Sequence, residues 1–420
     1  MLSPEQTAII KATAPVVGAH ARDITEHFYP LMFERYPEVK AFFNQAHQQQ
    51  GTQRQALANA LVAYATHIDQ LEKLGDAVGL IAHKHCSLDI QPEHYPIVGE
   101  CLMAAIGAVL GDAVTAEIAD AWGAAYQQLA DILIGVEEQL YQGNTQRRGG
   151  WRGERQFRIT DRVQESDVIT SFYLLPCEGE TVIDFIPGQY VGVILTIDGQ
   201  CVRRNYSLSD APGKAGLRIS IKREPGGQVS DFLHSQAQVG DTLTLTAPCG
   251  DFVLDTSPGA PQRPLFLVTG GVGITPAMSM LNSCVASGRP ITFIHAAIDS
   301  RHQAFAEHVH TLAQQHDNLR TFTIHEKPLA DDTPDATGFI NAAILKDLLP
   351  ADRNVDFYFL GPKPFMNAVN ELANELQIAP SQLHYEFFGP AEILTPASAS
   401  SASTSSVTTT SASGTEDAPA

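Results

Sequence analysis

The sequence predicts three folds in series: an all-α domain, then an antiparallel β-barrel, then an α/β domain with a parallel sheet. Three observations carry this expectation. From Ser3 to Tyr141 apolar residues recur at helical spacing, with breaks at Pro37, Gly51, Gly75, Pro92 and Gly111. Between about 148 and 260, short runs alternate at strand period, and turn signals recur at Pro187-Gly188, Asp198-Gly199 and Pro212-Gly213. From about 261 onward, buried-strand runs alternate with helices. The expected domains are therefore 1–147, 148–260 and 261–390, with a tail at 391–420.

Composition agrees. A chain of 420 residues is too long for one hydrophobic core, and 44% hydrophobic content supports globular folding. A net charge of −20 argues against nucleic acid or an anionic membrane as the main partner. The six cysteines, at 86, 101, 177, 201, 249 and 284, show no C-x-x-C pair and read as reduced thiols, with disulfides left open. The chain start lacks a basic and apolar signal region; instead Ser3 can cap a helix that has Pro4 at its first position and Gln6 closing a capping box. No apolar run is expected to reach the roughly 18 residues of a membrane span. A cytoplasmic, soluble protein is the expectation.

In the first domain the organising stretch is Val78 to Leu88. Val78, Ile81, Ala82 and Leu88 form an apolar helical stripe, His85 lies within it, and His83 points the other way. A histidine on an apolar face is more often a packed core residue than a ligand. Its neighbours strengthen the ligand reading: His27-Phe28-Tyr29 and Ala41-Phe42-Phe43-Asn44 precede a second stripe that starts at Gln53 and runs through Leu57, Leu61, Tyr64, Ala65 and Ile68. Together they form an apolar cleft with a phenol, an amide and an imidazole. The last helix carries Trp122, Ala125, Leu129, Ile132, Leu133, Val136 and Leu140 on one face, with Glu137 at its edge.

Arg147 to Gly153 is short, basic and glycine-rich and reads as a hinge. Beyond it, Phe157 to Thr160 and Ile169 to Leu174 read as strands. Arg204-Asn205-Tyr206-Ser207 resembles the R-x-Y-S motif of ferredoxin-reductase-like flavoproteins. Arg204 can pair with a pyrophosphate, Tyr206 can stack on a planar ring, and Ser207 can hydrogen-bond a flavin edge. Pro187-Gly188-Gln189-Tyr190 accompanies it. So does Gly226-Gly227-Gln228-Val229-Ser230 at a helix start, where free N–H groups and the helix dipole favour a diphosphate. Glycines alone would make only a turn; the three motifs together indicate FAD.

In the third domain Pro264 to Val268 is a strand, followed by Gly270-Gly271-Val272-Gly273-Ile274-Thr275-Pro276 and a helix through Ser287. Strand, glycine turn and helix is the context a nucleotide phosphate requires. Strands at Ile291 to His295, Thr321 to Ile324 and Phe357 to Leu360 continue the alternation, and a last helix runs through Leu376. Ser300 and Arg301 could hold a 2′-phosphate, so NADH and NADPH both stay open.

Taken in order, Tyr29, Phe43, Gln53, His85, Tyr95 and the reductase motifs resemble the flavohaemoglobins, in which a haem globin is fused to a flavin reductase; the likeness covers residues 1 to 390. The resemblance implies haem b ligated by His85, one FAD, and NADH or NADPH as donor. It implies that His85 gives its other N–H to a Tyr95–Glu137 pair, and that Tyr29 and Gln53 form a distal polar pair favouring bound dioxygen. Phe43 would wedge the ring, Leu57 would cover it and Lys84 would tune its potential. The end segment Glu386-Phe387-Phe388-Gly389-Pro390 would pack on the flavin, with Glu386 near the flavin–haem junction.

Departures from the family are Pro30 directly after Tyr29, Leu360 before Gly-Pro, and Phe387 in place of a cysteine. Proline disfavours the α conformation in the residue before it, which bears on Tyr29. The activity implied is NAD(P)H-dependent nitric oxide dioxygenation by a monomer acting on O2 and NO. An oxygen-binding or sensing globin with a maintenance reductase is the alternative, as is a general flavin, ferric or hydroperoxide reductase. The Ser, Thr and Ala tail cannot offset its chain entropy by burial and reads as disordered.

Overall fold

A computed structural model describes residues 2–43, 52–179, 184–257, 259–260 and 262–389. Pro390 and the tail lie outside these, as do the side chains of residues 52–54 and 56. The first domain is built from α1 (Pro4–Ala19), α2 (Ala21–Arg35), a 3-10 turn (Pro37–Phe42), α3 (Thr52–Thr66), α4 (Gly75–Ser87), α5 (His94–Leu110) and α6 (Ala116–Gln146). The capping box at Ser3 and Gln6 is present in both directions. Helix α2 continues through Pro30. Its buried face of Ile24, Phe28, Tyr29 and Met32 supplies packing that outweighs the lost backbone bond.

Ile10, Ile24, Phe28, Met32, Leu102 and Ile106 are fully buried, each contributing about 1.5–3 kcal/mol relative to exposure. Polar tips in this core are satisfied: Trp122 Nε1 donates to Thr13 Oγ1 at 3.0 Å and Tyr64 Oη to the Ala125 carbonyl at 2.9 Å. One expectation needs correction. His94–Ala113 is long and apolar enough to cross a membrane by length and composition. It packs instead against α2 and α6, with Cys101, Leu102, Ala105 and Ile106 buried.

The segment read as a hinge is tied down. Trp151 joins the barrel core, Arg152 pairs with Glu138 of α6 at 2.8 Å, and Arg148 pairs with Asp184 at 3.0 Å. Glycine and arginine composition signalled a turn and charge but not these long-range partners. All six cysteines are unpaired.

The barrel strands are β1 (Glu154–Gln164), β2 (Ile169–Pro176), β3 (Tyr190–Ile197), β4 (Gln200–Ser207), β5 (Leu217–Lys222) and β6 (Thr242–Thr246), in the order β4-β3-β6-β1-β2-β5 with every pairing antiparallel. The sheet curls until its ends meet through a Leu208↔Ile219 bridge. Helix α7 (Gln228–Ser235) covers one side through Val229 and Leu233.

The third domain has an all-parallel sheet in the order β10-β9-β8-β7-β11-β12. Its strands are β7 (Leu265–Gly270), β8 (Ile291–Ala297), β9 (Leu319–His325), β10 (Ala336–Thr337), β11 (Asp356–Leu360) and β12 (Leu383–Tyr385). The chain starts at β7, moves outward to β10, then returns to the other side of β7. Strand order therefore reverses between β7 and β11, the crevice where open α/β sheets bind ligands. The glycine turn sits there.

Candidate active site

Helix α4 presents His83, Lys84, His85 and Ser87 in one turn and a half, so they reach four directions. His85 faces the cleft and is about one-third exposed. Its Nδ1 lies 2.7 Å from Glu137 Oε1 and 3.0 Å from Tyr95 Oη, and Tyr95 Oη donates to the same carboxylate oxygen at 2.5 Å. A carboxylate only accepts, so Nδ1 carries the proton and Nε2 keeps its lone pair. Glu137, expected at the edge of a face, is 2% exposed. Burial, then Glu137, pushes the Tyr95 phenol up, so it stays a donor.

Tyr95 is held in turn. Tyr126 Oη donates to the Tyr95 carbonyl at 2.6 Å, and the Tyr126 ring lies against Gly99, where a Cβ would come within 2.6 Å of it. Gly99→Ala should therefore lower stability by about 1–3 kcal/mol, read as a reduced denaturation midpoint; an unchanged midpoint would mean that the ring moves aside freely.

Across the cleft Tyr29 is 4% exposed, its ring edge-on to Phe28 at 4.9 Å and to Phe43 at 5.7 Å. Phe43 and Leu57 are partly buried on the same core. Gln53 lies in the first turn of α3, its side chain outside those described. Partly buried Val78 and Ile81 line the His85 side. Among the described residues Nε2 of His85 has no hydrogen-bond partner, and a lone-pair nitrogen between apolar walls fits a metal carried in a flat apolar ring.

The other three side chains of this turn reach the reductase. Lys84 Nζ donates to Glu386 Oε1 at 3.3 Å and stands 4.9 Å above the Tyr190 ring. Burial pushes the Glu386 carboxyl up, against the pull of Lys84. His83 Nδ1 accepts from Gly250 N–H at 3.0 Å, confirming that it points away from His85. The Ser87 carbonyl accepts from Thr246 Oγ1 at 2.9 Å, and Ser87 Oγ from Asn205 Nδ2 at 2.9 Å. His83, Ser87, Thr246 and Gly250 were not singled out in the sequence for these contacts. Their partners are too distant along the chain for any local pattern to show.

Strand β4 has two faces. Arg204 and Tyr206 alternate with Arg203 and Asn205; Tyr206 packs on the barrel core, whereas Asn205 turns its amide toward the globin, not toward Tyr206. Burial pulls the Arg204 guanidinium pKa down and pushes the Tyr206 phenol up. Ser207 is buried, paired with Tyr190 across β3 and β4. Among the described residues Tyr190 Oη is buried without a hydrogen-bond partner. Gly227 precedes α7 and no side chain caps it, which leaves first-turn N–H groups of Gln228, Val229 and Ser230 for an anion. These orphaned donors fit a flavin dinucleotide.

At the third domain Gly271 has φ +53°, and Gly271–Gly273 form a 3-10 turn into α8 (Ile274–Cys284), again without a side-chain cap. A Cβ on Gly273 would sit 2.2 Å from the Leu360 carbonyl, so the turn, with Val272, lies against the end of β11. Ile274, Thr275 and Pro276 are buried in the first turn of α8. Ser300 and Arg301 are already engaged: Asp332 accepts from Ser300 N–H at 3.0 Å and Asp167 pairs with Arg301 at 2.6 Å. In the end segment Phe387 packs on the third core, while Phe388 is 47% exposed and Gly389 N–H donates to the Phe387 carbonyl.

Sequence families agree with these three bodies. Residues 26–133 match the globin family, 156–254 an oxidoreductase FAD-binding domain and 267–371 an oxidoreductase NAD-binding domain. The flavohemoprotein of Burkholderia sp. strain TH2 is 50% identical over 94% of this chain and all of its own length. The chain belongs to the flavohemoprotein family. The flavohemoprotein of Pseudomonas aeruginosa is 49% identical over 94% of the chain and 100% of its own. Among solved structures, the flavohemoglobin of Malassezia yamatoensis, with bound FAD and heme, matches with TM-score 0.82 at 28% identity, covering 92% of this chain and 100% of that one. The FAD/NAD-binding domain of nitric oxide dioxygenase from Vibrio cholerae matches with TM-score 0.52 at 33% identity, covering 56% and 99%. This flavohemoprotein is thus an oxidoreductase with a globin, a curled antiparallel flavin barrel and a parallel nucleotide sheet.

Proposed function

We propose that the chain is an NAD(P)H-dependent nitric oxide dioxygenase, converting NO and O2 to nitrate in the cytoplasm as a defence against NO. The single observation that carries this reading is the His85–Glu137–Tyr95 constellation, whose buried carboxylate accepts the hydrogen bond from Nδ1–H and leaves Nε2 a strong donor. A globin built for reversible storage has no need of such a partner. The Vibrio cholerae match, named as a nitric oxide dioxygenase, supports the same reading.

His85 would ligate haem iron, with Phe43 and Leu57 against the ring. Arg204, Tyr206, Ser207 and the start of α7 would hold FAD, and the Gly271–Gly273 turn would hold the pyrophosphate of NADH or NADPH. When bound, the nicotinamide supplies a hydride, the flavin converts that electron pair to single electrons, and the haem supplies the iron at which NO and O2 react. The protein's part is positional. Glu137 and Tyr95 fix the tautomer and plane of His85. Tyr29 and Gln53 would form the polar pair on the side of the cleft opposite His85, where Tyr29 could donate a hydrogen bond to a developing negative charge. Lys84 and Glu386 hold the C-terminal segment to the haem helix.

NADH consumption by the purified protein should rise sharply when NO and O2 are supplied together, with nitrate as product. Consumption no faster than with O2 alone would remove the proposal. A fast-release oxygen carrier and a general reductase both predict that outcome.

A further inference from the structure

Arg203 lies beside the flavin motif but faces away from the flavin. Its side chain is 10% exposed; Nη2 pairs with Glu154 Oε1 at 2.9 Å, and the Asp89 carboxylate lies within reach of its charge. Among the described residues, Nε and Nη1 are buried with no hydrogen-bond partner. A guanidinium cannot shed its charge, and a buried unpaired donor on a charged group costs more than the roughly 1–3 kcal/mol of a neutral one. Such a group persists where a partner outside the polypeptide completes it.

Its surroundings say where that partner lies. The guanidinium stands 5.0 Å above the ring of Phe42, and the Phe42 ring lies tilted against His94, centroids 4.7 Å apart. Phe42 directly precedes Phe43, which lines the cleft, and His94 directly precedes Tyr95, which braces His85. Two residues along β4, on the same face, Asn205 reaches Ser87, and its Oδ1 is buried without a hydrogen-bond partner among the described residues. This face of the flavin barrel therefore brings a half-satisfied cation to the rim of the globin cleft. A planar fork with one edge free is the geometry that takes a carboxylate.

We propose that Arg203 is a binding residue for a carboxylate of the haem, so that a propionate of the prosthetic group ties the globin to the flavin barrel. The proposal rests on haem occupying the His85 cleft, but not on the reaction carried out there. Under this arrangement Glu154 orients Arg203 from one side while the propionate takes Nε and Nη1. Loss of the barrel contact loosens the haem, and loss of the haem loosens the barrel contact.

The test compares natural haem with its dimethyl ester, which lacks both carboxylates, in the full-length protein. Haem loss to an excess of an apoglobin acceptor is followed at the Soret band. Arg203→Gln should speed loss of natural haem about tenfold, equivalent to roughly 1.4 kcal/mol, and leave loss of the ester unchanged. Glu154→Gln, which removes the ion pair and keeps the cation, should retain natural haem far better than Arg203→Gln. A second readout is proteolysis near residues 147–153, which in the haem-free wild type should be slowed by natural haem more than by the ester. Equal acceleration for both haems, or equal loosening by Glu154→Gln, would make Arg203 only an interface ion pair and overturn the proposal. If Arg203→Gln does not fold, the wild-type ester comparison decides: equal retention and equal protection by the two haems would overturn it.

Discussion

Glu137→Gln is expected to lower NO-dependent NADH turnover by about ten- to a hundredfold, the usual cost of removing the partner of a metal-ligating histidine. The glutamine keeps the shape of Glu137 but brings a neutral carbonyl and an extra donor to a place where two donors, His85 Nδ1–H and Tyr95 Oη–H, converge on one oxygen. The imidazole loses its anionic neighbour and becomes a weaker donor to iron, and Tyr95 must find another acceptor. Flavin reduction by NADH should stay at the wild-type rate, because Glu137 makes no contact with the barrel motifs that would hold FAD. Tyr95→Phe should act in the same direction but less, since the carboxylate remains. Rapid-mixing spectra that resolve flavin and haem separately would check both. An unchanged turnover in Glu137→Gln would show that the braced imidazole does not set the activity.

A comparable loss is expected from Gly192→Ala, far from any motif. A Cβ at this position on β3 would stand 2.0 Å from the Ser87 carbonyl oxygen and 2.6 Å from Thr246 Oγ1. The first obstacle is backbone, so no rotamer change relieves it, and the last turn of the His85 helix must move off the barrel. That movement also breaks the Ser87–Thr246 and Ser87–Asn205 hydrogen bonds. Misplacement of reacting partners by about 1 Å can cost on the order of a hundredfold in rate. Electron delivery from flavin to haem should therefore slow by about that factor, while NADH-driven reduction of an external acceptor such as ferricyanide persists. Haem reduction at the wild-type rate would contradict the tight docking described above.

These two residues illustrate what the sequence could and could not disclose. The apolar stripe holding His85, the capping box at Ser3 and the strand-glycine-helix passage at Gly271 to Pro276 are local patterns, and each is present as expected. The weight of Glu137 is not local: it is buried by pairing with a residue 52 positions away. Gly192, Ser87 and Thr246 meet across 159 positions, and no periodicity marks them. The supposed hinge at 147–153 failed for the same reason, because Trp151 seats in the barrel core. Pro30 illustrates the reverse case, a local rule overridden by the packing of Phe28, Tyr29 and Met32. The span-like length of α5 is hidden in the sequence because Glu100 interrupts the run without lowering its mean hydropathy enough.

The central claim is that electrons enter at the parallel sheet, cross the barrel and reach a haem held by His85. Anaerobic addition of NADH to the purified protein under CO tests it in one experiment. The account predicts that the flavin absorbance bleaches and the Soret band then shifts to that of a ferrous CO complex, with the band lost altogether in His85→Ala. A flavin that bleaches beside a haem that stays ferric, or a Soret band unaltered by His85→Ala, would contradict it.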